Sequence, residues 1–212
     1  MESVTEIIKT IEASLPKQAS TITCHSLKPR FDPFSDKIPI LMARCGLPRR
    51  YRDANMQDFA GIEPTTESLF ITGPAGTGKS HLAAALMRNY FENMRSNDTI
   101  SCGWVGVPML LSRIRDTFKE GSKYTETELI DLYCSANFLV LDDLGVEKNS
   151  EWVLQTLYVI INQRWENMFQ TIITSNYEIK DLADKLSDRI SSRIAGFCRI
   201  HKLTGKDRRV EK

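Results

Sequence analysis

An α/β fold with a central parallel sheet is what the sequence predicts, and three observations carry that prediction. Short apolar runs of strand length, SLFIT (68–72), FLVLD (138–142) and TIITS (171–175), recur with helical patterns between them. Strands alternating with helices fold as a parallel sheet covered on both faces. A glycine-rich loop, GPAGTGKS (73–80), follows the first run and opens a helical pattern. Two acids, Asp142 and Asp143, end the second run, at the sheet edge where open α/β folds bind their ligands.

The elements follow in order. Val4, Ile7, Ile8 and Ile11 stand at i, i+3, i+4 and i+7 and predict one short amphipathic helix. Residues 17–45 carry Pro29, Pro33 and Pro39 and read as an irregular arm. The domain division expected is therefore an arm over 1–44, a candidate partner-binding module, and a folded domain over 45–212. After the strand at 68–72, a helix is expected over 79–97, with Leu82, Leu86, Tyr90 and Met94 on one face. Residues 99–107 predict a strand, and 109–119 and 126–134 predict helices, the first with Leu110, Ile114 and Phe118 toward the core. Ser150 is placed to cap a long helix reaching Met168. Helix is expected within 182–194, and residues 197–203 predict a last strand.

Composition narrows the class. The 28 basic and 27 acidic side chains leave a net charge of +1, so any contact with nucleic acid must come from a local patch. The five cysteines are odd in number and include no C-x-x-C pair, which argues against a disulfide framework. Cys24, His25 and Cys45 fall short of the four ligands of a closed structural zinc site. No apolar run approaches the roughly 20 residues needed to span a bilayer, and the start MESVTE lacks a basic leader. A cytoplasmic protein without membrane contact is expected.

The loop matches G-x-x-x-x-G-K-[ST], in the strand-loop-helix context that gives the pattern its meaning. Gly73, Gly76 and Gly78 permit backbone geometry that a Cβ would obstruct, so that successive N–H groups, with Pro74, Ala75, Thr77 and His81 alongside, cradle phosphate oxygens. Lys79 would reach the β- and γ-phosphates and Ser80 would place its hydroxyl on Mg²⁺. Asp142 is the candidate Mg²⁺ partner through water, and Asp143 the candidate base for an attacking water. Asn176, at the tip of the third run, offers a neutral amide to that water or to the γ-phosphate. ATP or ADP with Mg²⁺ is the expected cofactor.

The three strand tips, GPAGTGKSHLA, VLDDLG and ITSN, resemble those of AAA+ ATPases, and within them the DnaC/IstB branch of replicative-helicase loaders and transposition ATPases. The resemblance covers residues 45–209 and implies a P-loop NTPase of AAA+ type, a three-layer sandwich. No full helical lid is expected after the last strand, and LTGKDRR (203–209) resembles the short tail of this branch. The segment 45–59 resembles the one that lines the adenine pocket, which implies Tyr51 and Phe59 there. RISSRI (189–194) resembles the family's arginine-finger box. By that match Arg193 is the finger, with Arg189 as the alternative, acting on a neighbouring subunit's γ-phosphate and implying self-association. Such a finger contributes roughly 10³–10⁵ in rate.

In the initiator and loader branch the elements after the strand at 99–107 face single-stranded DNA. Arg113, Lys119 and Lys123 are the candidate phosphate contacts there. The resulting expectation is an ATP-dependent helicase loader acting with a helicase and single-stranded DNA. The alternatives are a transposition ATPase delivering a transposase, a monomeric P-loop kinase of small molecules, and a nucleotide-gated adaptor that does not hydrolyse.

Overall fold

The computed structural model describes residues 37–94, 101–205 and 207. The apolar stripe at 4–11, Cys24, His25, Arg208 and Arg209 lie outside the described residues.

The chain begins with helix α1 (Ile38–Arg44), where the sequence reading has an irregular arm. The prolines misled that reading: Pro39 stands in the first turn, where a missing N–H costs nothing. Ile38 and Met42, one turn apart, are buried, and Gly46 ends the helix at φ +93°. Then follow β1 (Ser68–Thr72), α2 (Lys79–Glu92), β2 (Cys102–Gly106), α3 (Val107–Asp116), α4 (Glu126–Ser135), β3 (Phe138–Leu144), α5 (Glu151–Glu166), β4 (Gln170–Ser175), α6 (Ile179–Lys185), α7 (Asp188–Phe197) and β5 (Cys198–Lys202). Ser150 caps α5, accepting from the backbone of Val153, as its position before the apolar run predicts. The helix expected within 182–194 is present as α6 and α7, which are separate because Ser187 takes an extended backbone and caps α7 through Ile190.

All the strands pair in parallel, in the order β2-β3-β4-β1-β5. The side-chain period of two divides the core. Leu69, Ile71, Phe138, Val140 and Ile172 face α1 and α2, packing on Met42, Leu82, Leu86 and Met87. Phe70, Leu139, Leu141 and Ile173 face the opposite layer, with Leu110 and Ile114 of α3, Ile160 of α5 and Ile194 of α7. A sheet apolar on both faces between two helical layers is the three-layer sandwich expected.

Two features depart from simple patterning. Arg164 of α5 is fully buried and donates to the carbonyls of Tyr133, Cys134, Ala136 and Gln170 and to Thr171 Oγ1, tying the end of α4 to the start of β4. Burial pulls its pKa down to about 10, so it keeps its charge at neutral pH. Phe118 does not reach the core: α3 stops at Asp116, and Phe118 is 59% exposed with its ring against Trp152. Among the described residues, no helix is long and apolar enough to cross a membrane.

Candidate nucleotide site

The strand order places the predicted residues together. β4 lies between β1 and β3, so the loop after β1, the acids of β3 and Asn176 after β4 share the carboxyl edge of three adjacent strands. The loop has Gly73, Gly76 and Gly78 at φ +148°, +76° and +99°, conformations that favour glycine. Lys79 is buried, and its Nζ donates to the carbonyls of Gly73 and Pro74, both at 2.8 Å. Thr77 Oγ1 donates to the Pro74 carbonyl at 2.9 Å. These bonds hold the loop curled around its own lysine.

The two acids occupy different surroundings. Leu141 pairs with Ile173 and Leu144 with Ser175, so Asp142 and Asp143 together face Thr174 alone. This is a β-bulge, a device that re-aims side chains at a strand end. Asp143 sits at φ +60°, a left-handed conformation that Asp tolerates better than most residues. The consequence is one buried and one exposed acid. Asp142 Oδ1 accepts from Ser80 Oγ at 2.8 Å and from Thr174 Oγ1 at 2.6 Å. Burial raises its pKa, and these bonds offset that only in part. Thr174 Oγ1 also accepts from the Asp143 backbone N–H at 2.9 Å, so one hydroxyl positions both acids. Thr174 was not legible as a site residue, because its role depends on the bulge opposite.

Ser80 and Asp142 present hard oxygen donors side by side, and among the described residues no cationic side chain is bonded to the desolvated carboxylate. Such a donor set suits Mg²⁺, which binds through one or two carboxylate or hydroxyl groups while keeping water. Asn176 is exposed at the tip of β4, beyond Ser175, whose hydroxyl donates to the Leu144 carbonyl.

The adenine candidates gather at the start of α2. His81 Nε2 lies 2.8 Å from Asp58 Oδ2, and its ring centroid is 5.6 Å from that of Phe59 and 6.4 Å from that of Tyr51. Phe59 is buried, while Tyr51 is half-buried and leans on Trp104 at 6.0 Å. Arg88 donates to the carbonyls of Ala54 and Arg52, fastening this segment to α2. Asp58, Arg88 and Trp104 are contributions that no local pattern announces.

The remaining candidates stand on the other helical layer. The Arg193 guanidinium lies 4.1 Å from the centroid of Trp165, and Arg189 is exposed. Among the described residues neither makes an ion pair with Asp184 or Asp188. Arg113 is exposed on α3 and reaches Tyr133 Oη at 3.5 Å. Lys119 and Lys123 fall after the end of α3, although helix was expected to 119; Lys119 pairs with Asp116 at 2.5 Å and Lys123 lies over Tyr124 at 5.6 Å.

The family model described as IstB-like ATP binding protein matches residues 49–211. The chain belongs to this family. The replicative helicase loader DnaC of Buchnera aphidicola subsp. Baizongia pistaciae is 27% identical over 127 residues, which are 60% of this chain and 50% of that protein. The chain thus spans about half the length of this curated relative. The crystal structure of the DnaC helicase loader superposes with a TM-score of 0.59 at 24% identity, covering 74% of this chain and 100% of that one. The replication initiator DnaA bound to AMPPCP and single-stranded DNA gives a TM-score of 0.59 at 22% identity, covering 76% of this chain and 51% of that one. These likenesses and the sheet topology establish an AAA+ P-loop fold for this IstB-like chain.

Proposed function

We propose that the chain is a Mg²⁺-dependent ATPase that works as an oligomer in loading a replicative helicase onto single-stranded DNA. The observation that carries the nucleotide part is the Ser80–Asp142 pair at 2.8 Å beside the Lys79 loop. In this reading the loop N–H groups and Lys79 hold the phosphates, with Tyr51, Phe59 and His81 around the base. Ser80 and Asp142 hold the metal, which supplies charge neutralisation at the phosphates when bound. Asp143 orients the attacking water and accepts its proton, and Asn176 hydrogen-bonds that water or the γ-phosphate. Arg193 of one subunit stabilises charge developing on the neighbour's nucleotide. Of residues 1–44, those before α1 serve as the partner-binding module, since Ile38 and Met42 of α1 belong to the core.

The relative named DnaC supports the loader reading, and the DnaA neighbour's bound single strand supports a nucleic-acid partner. A second reading, delivery of a transposase to DNA, is favoured by the IstB-like description of the matching family. It uses the same residues. The test is ATP turnover against protein concentration, with and without single-stranded DNA, for the wild type and Arg193→Ala. A rate per molecule that rises with concentration and DNA, and collapses in the variant, is expected. A rate that is flat, indifferent to DNA and unchanged by Arg193→Ala would instead mark a self-contained enzyme such as a small-molecule kinase.

A further inference from the structure

The chain does not leave the phosphate loop when β5 ends. Leu203 donates its backbone N–H to the Thr72 carbonyl at 2.7 Å, and a Cβ on Gly73 would collide with the Leu203 carbonyl oxygen. Four residues further on, the carboxylate of Asp207 lies directly against Gly76. A Cβ there would overlap Oδ1 and Cγ and stand 2.6 Å from Oδ2. Gly76 is accordingly buried, while Pro74 and Ala75 beside it are exposed. The middle glycine of the loop is covered by an anion from the chain's own tail.

The chemistry of that position is specific. Backbone N–H groups of a glycine-rich loop and the first turn of the following helix attract negative charge. A carboxylate meets that preference as a phosphate does. Both cannot occupy the same face of Gly76, and at close range they repel each other. We propose that Asp207 is a built-in competitor for the nucleotide phosphates, resting on the loop between nucleotides and displaced from Gly76 when ATP binds. This rests on the nucleotide reading of the loop. It also gives Gly76 a second reason to lack a side chain, since any Cβ would expel Asp207 as well as strain the loop.

The experiment is equilibrium titration of the full chain with a fluorescent N-methylanthraniloyl-ATP in the presence of Mg²⁺. Asp207→Asn and Asp207→Ala should each lower Kd about tenfold, the order of effect from removing one like charge near the phosphates. Asp207→Glu, which keeps the charge, should stay closer to the wild type than either. An unchanged Kd in both neutral variants would overturn the proposal. So would weaker binding, which would make Asp207 a group that helps to hold the nucleotide. Lys79→Ala serves as the reference for lost binding. Should the wild type bind no better than Lys79→Ala, the nucleotide reading itself fails, and the competitor role falls with it.

Discussion

The nucleotide edge and the α3–α7 flank differ in how their charged side chains are held. At the edge, Lys79 and Asp142 are buried and each makes two hydrogen bonds: Lys79 to the carbonyls of its own loop, Asp142 to Ser80 and Thr174 from other parts of the chain. On the flank, Arg193 lies on Trp165 of α5, Lys119 pairs with Asp116 and Lys123 lies over Tyr124, all of them partly or fully exposed. A site that acts on a small bound molecule can be organised by one chain. In the proposed reading Arg193 acts on a second subunit and Arg113, Lys119 and Lys123 on a DNA strand, so their working partners lie outside the chain.

The sharpest way to break this comparison is at Asp143. The side chain is exposed, and the backbone around it is set by Thr174 and the bulge, so Asp143→Asn should leave the edge intact. Turnover is expected to fall by about 10²- to 10⁴-fold, the usual contribution of a general base, with nucleotide binding retained. Single-turnover kinetics beside a binding titration separate the two, and a variant with undiminished turnover would remove Asp143 from the chemistry.

Asp142 tests the edge from the side of stability. Its folded-state pKa is raised by burial, so folding favours the neutral carboxyl. That contribution is present below the ordinary carboxylate range and is lost as pH rises through the shifted value. At neutral pH without metal the charged carboxylate therefore costs stability. Asp142→Asn should raise Tm in the presence of chelator, by about 2–4 °C for each kcal/mol recovered, while Mg²⁺-dependent stabilisation by ATP disappears. A Tm that falls with chelator present would mean that the hydrogen bonds outweigh the buried charge.

The flank should show the smallest effects. If Arg113 and Lys123 each meet a DNA phosphate, either change to Ala lowers the log–log salt slope of single-strand binding by about 0.7. Lys119→Ala should change it less, because Asp116 already pairs that ammonium. Equal effects at all three positions would show that the ion pair opens on binding at no cost, and no effect at any would move the DNA surface elsewhere.

Much of the edge was legible because its signals are local. The loop pattern, the apolar strand and the acids that end it are each contained in a few residues, and alternation of strands with helices fixes which sheet edge they share. Helix α1 was misread for an equally local reason, since Pro39 marks a loop and a helix start with the same letter. Phe118 was misplaced because periodicity does not say where a helix stops.

The amino-acid sequence by itself thus determined the α/β class, the phosphate loop, the paired acids and the family. Tertiary structure alone decided that β4 separates β1 from β3, that Thr174 faces a bulge and serves both acids, that Trp165 holds Arg193, and that Asp207 covers Gly76. The physical reason is range. Propensity and periodicity act over a turn or a strand, whereas a hydrogen bond between Thr174 and Asp142, or a carboxylate laid on a distant glycine, exists only once the sheet has brought separated segments together.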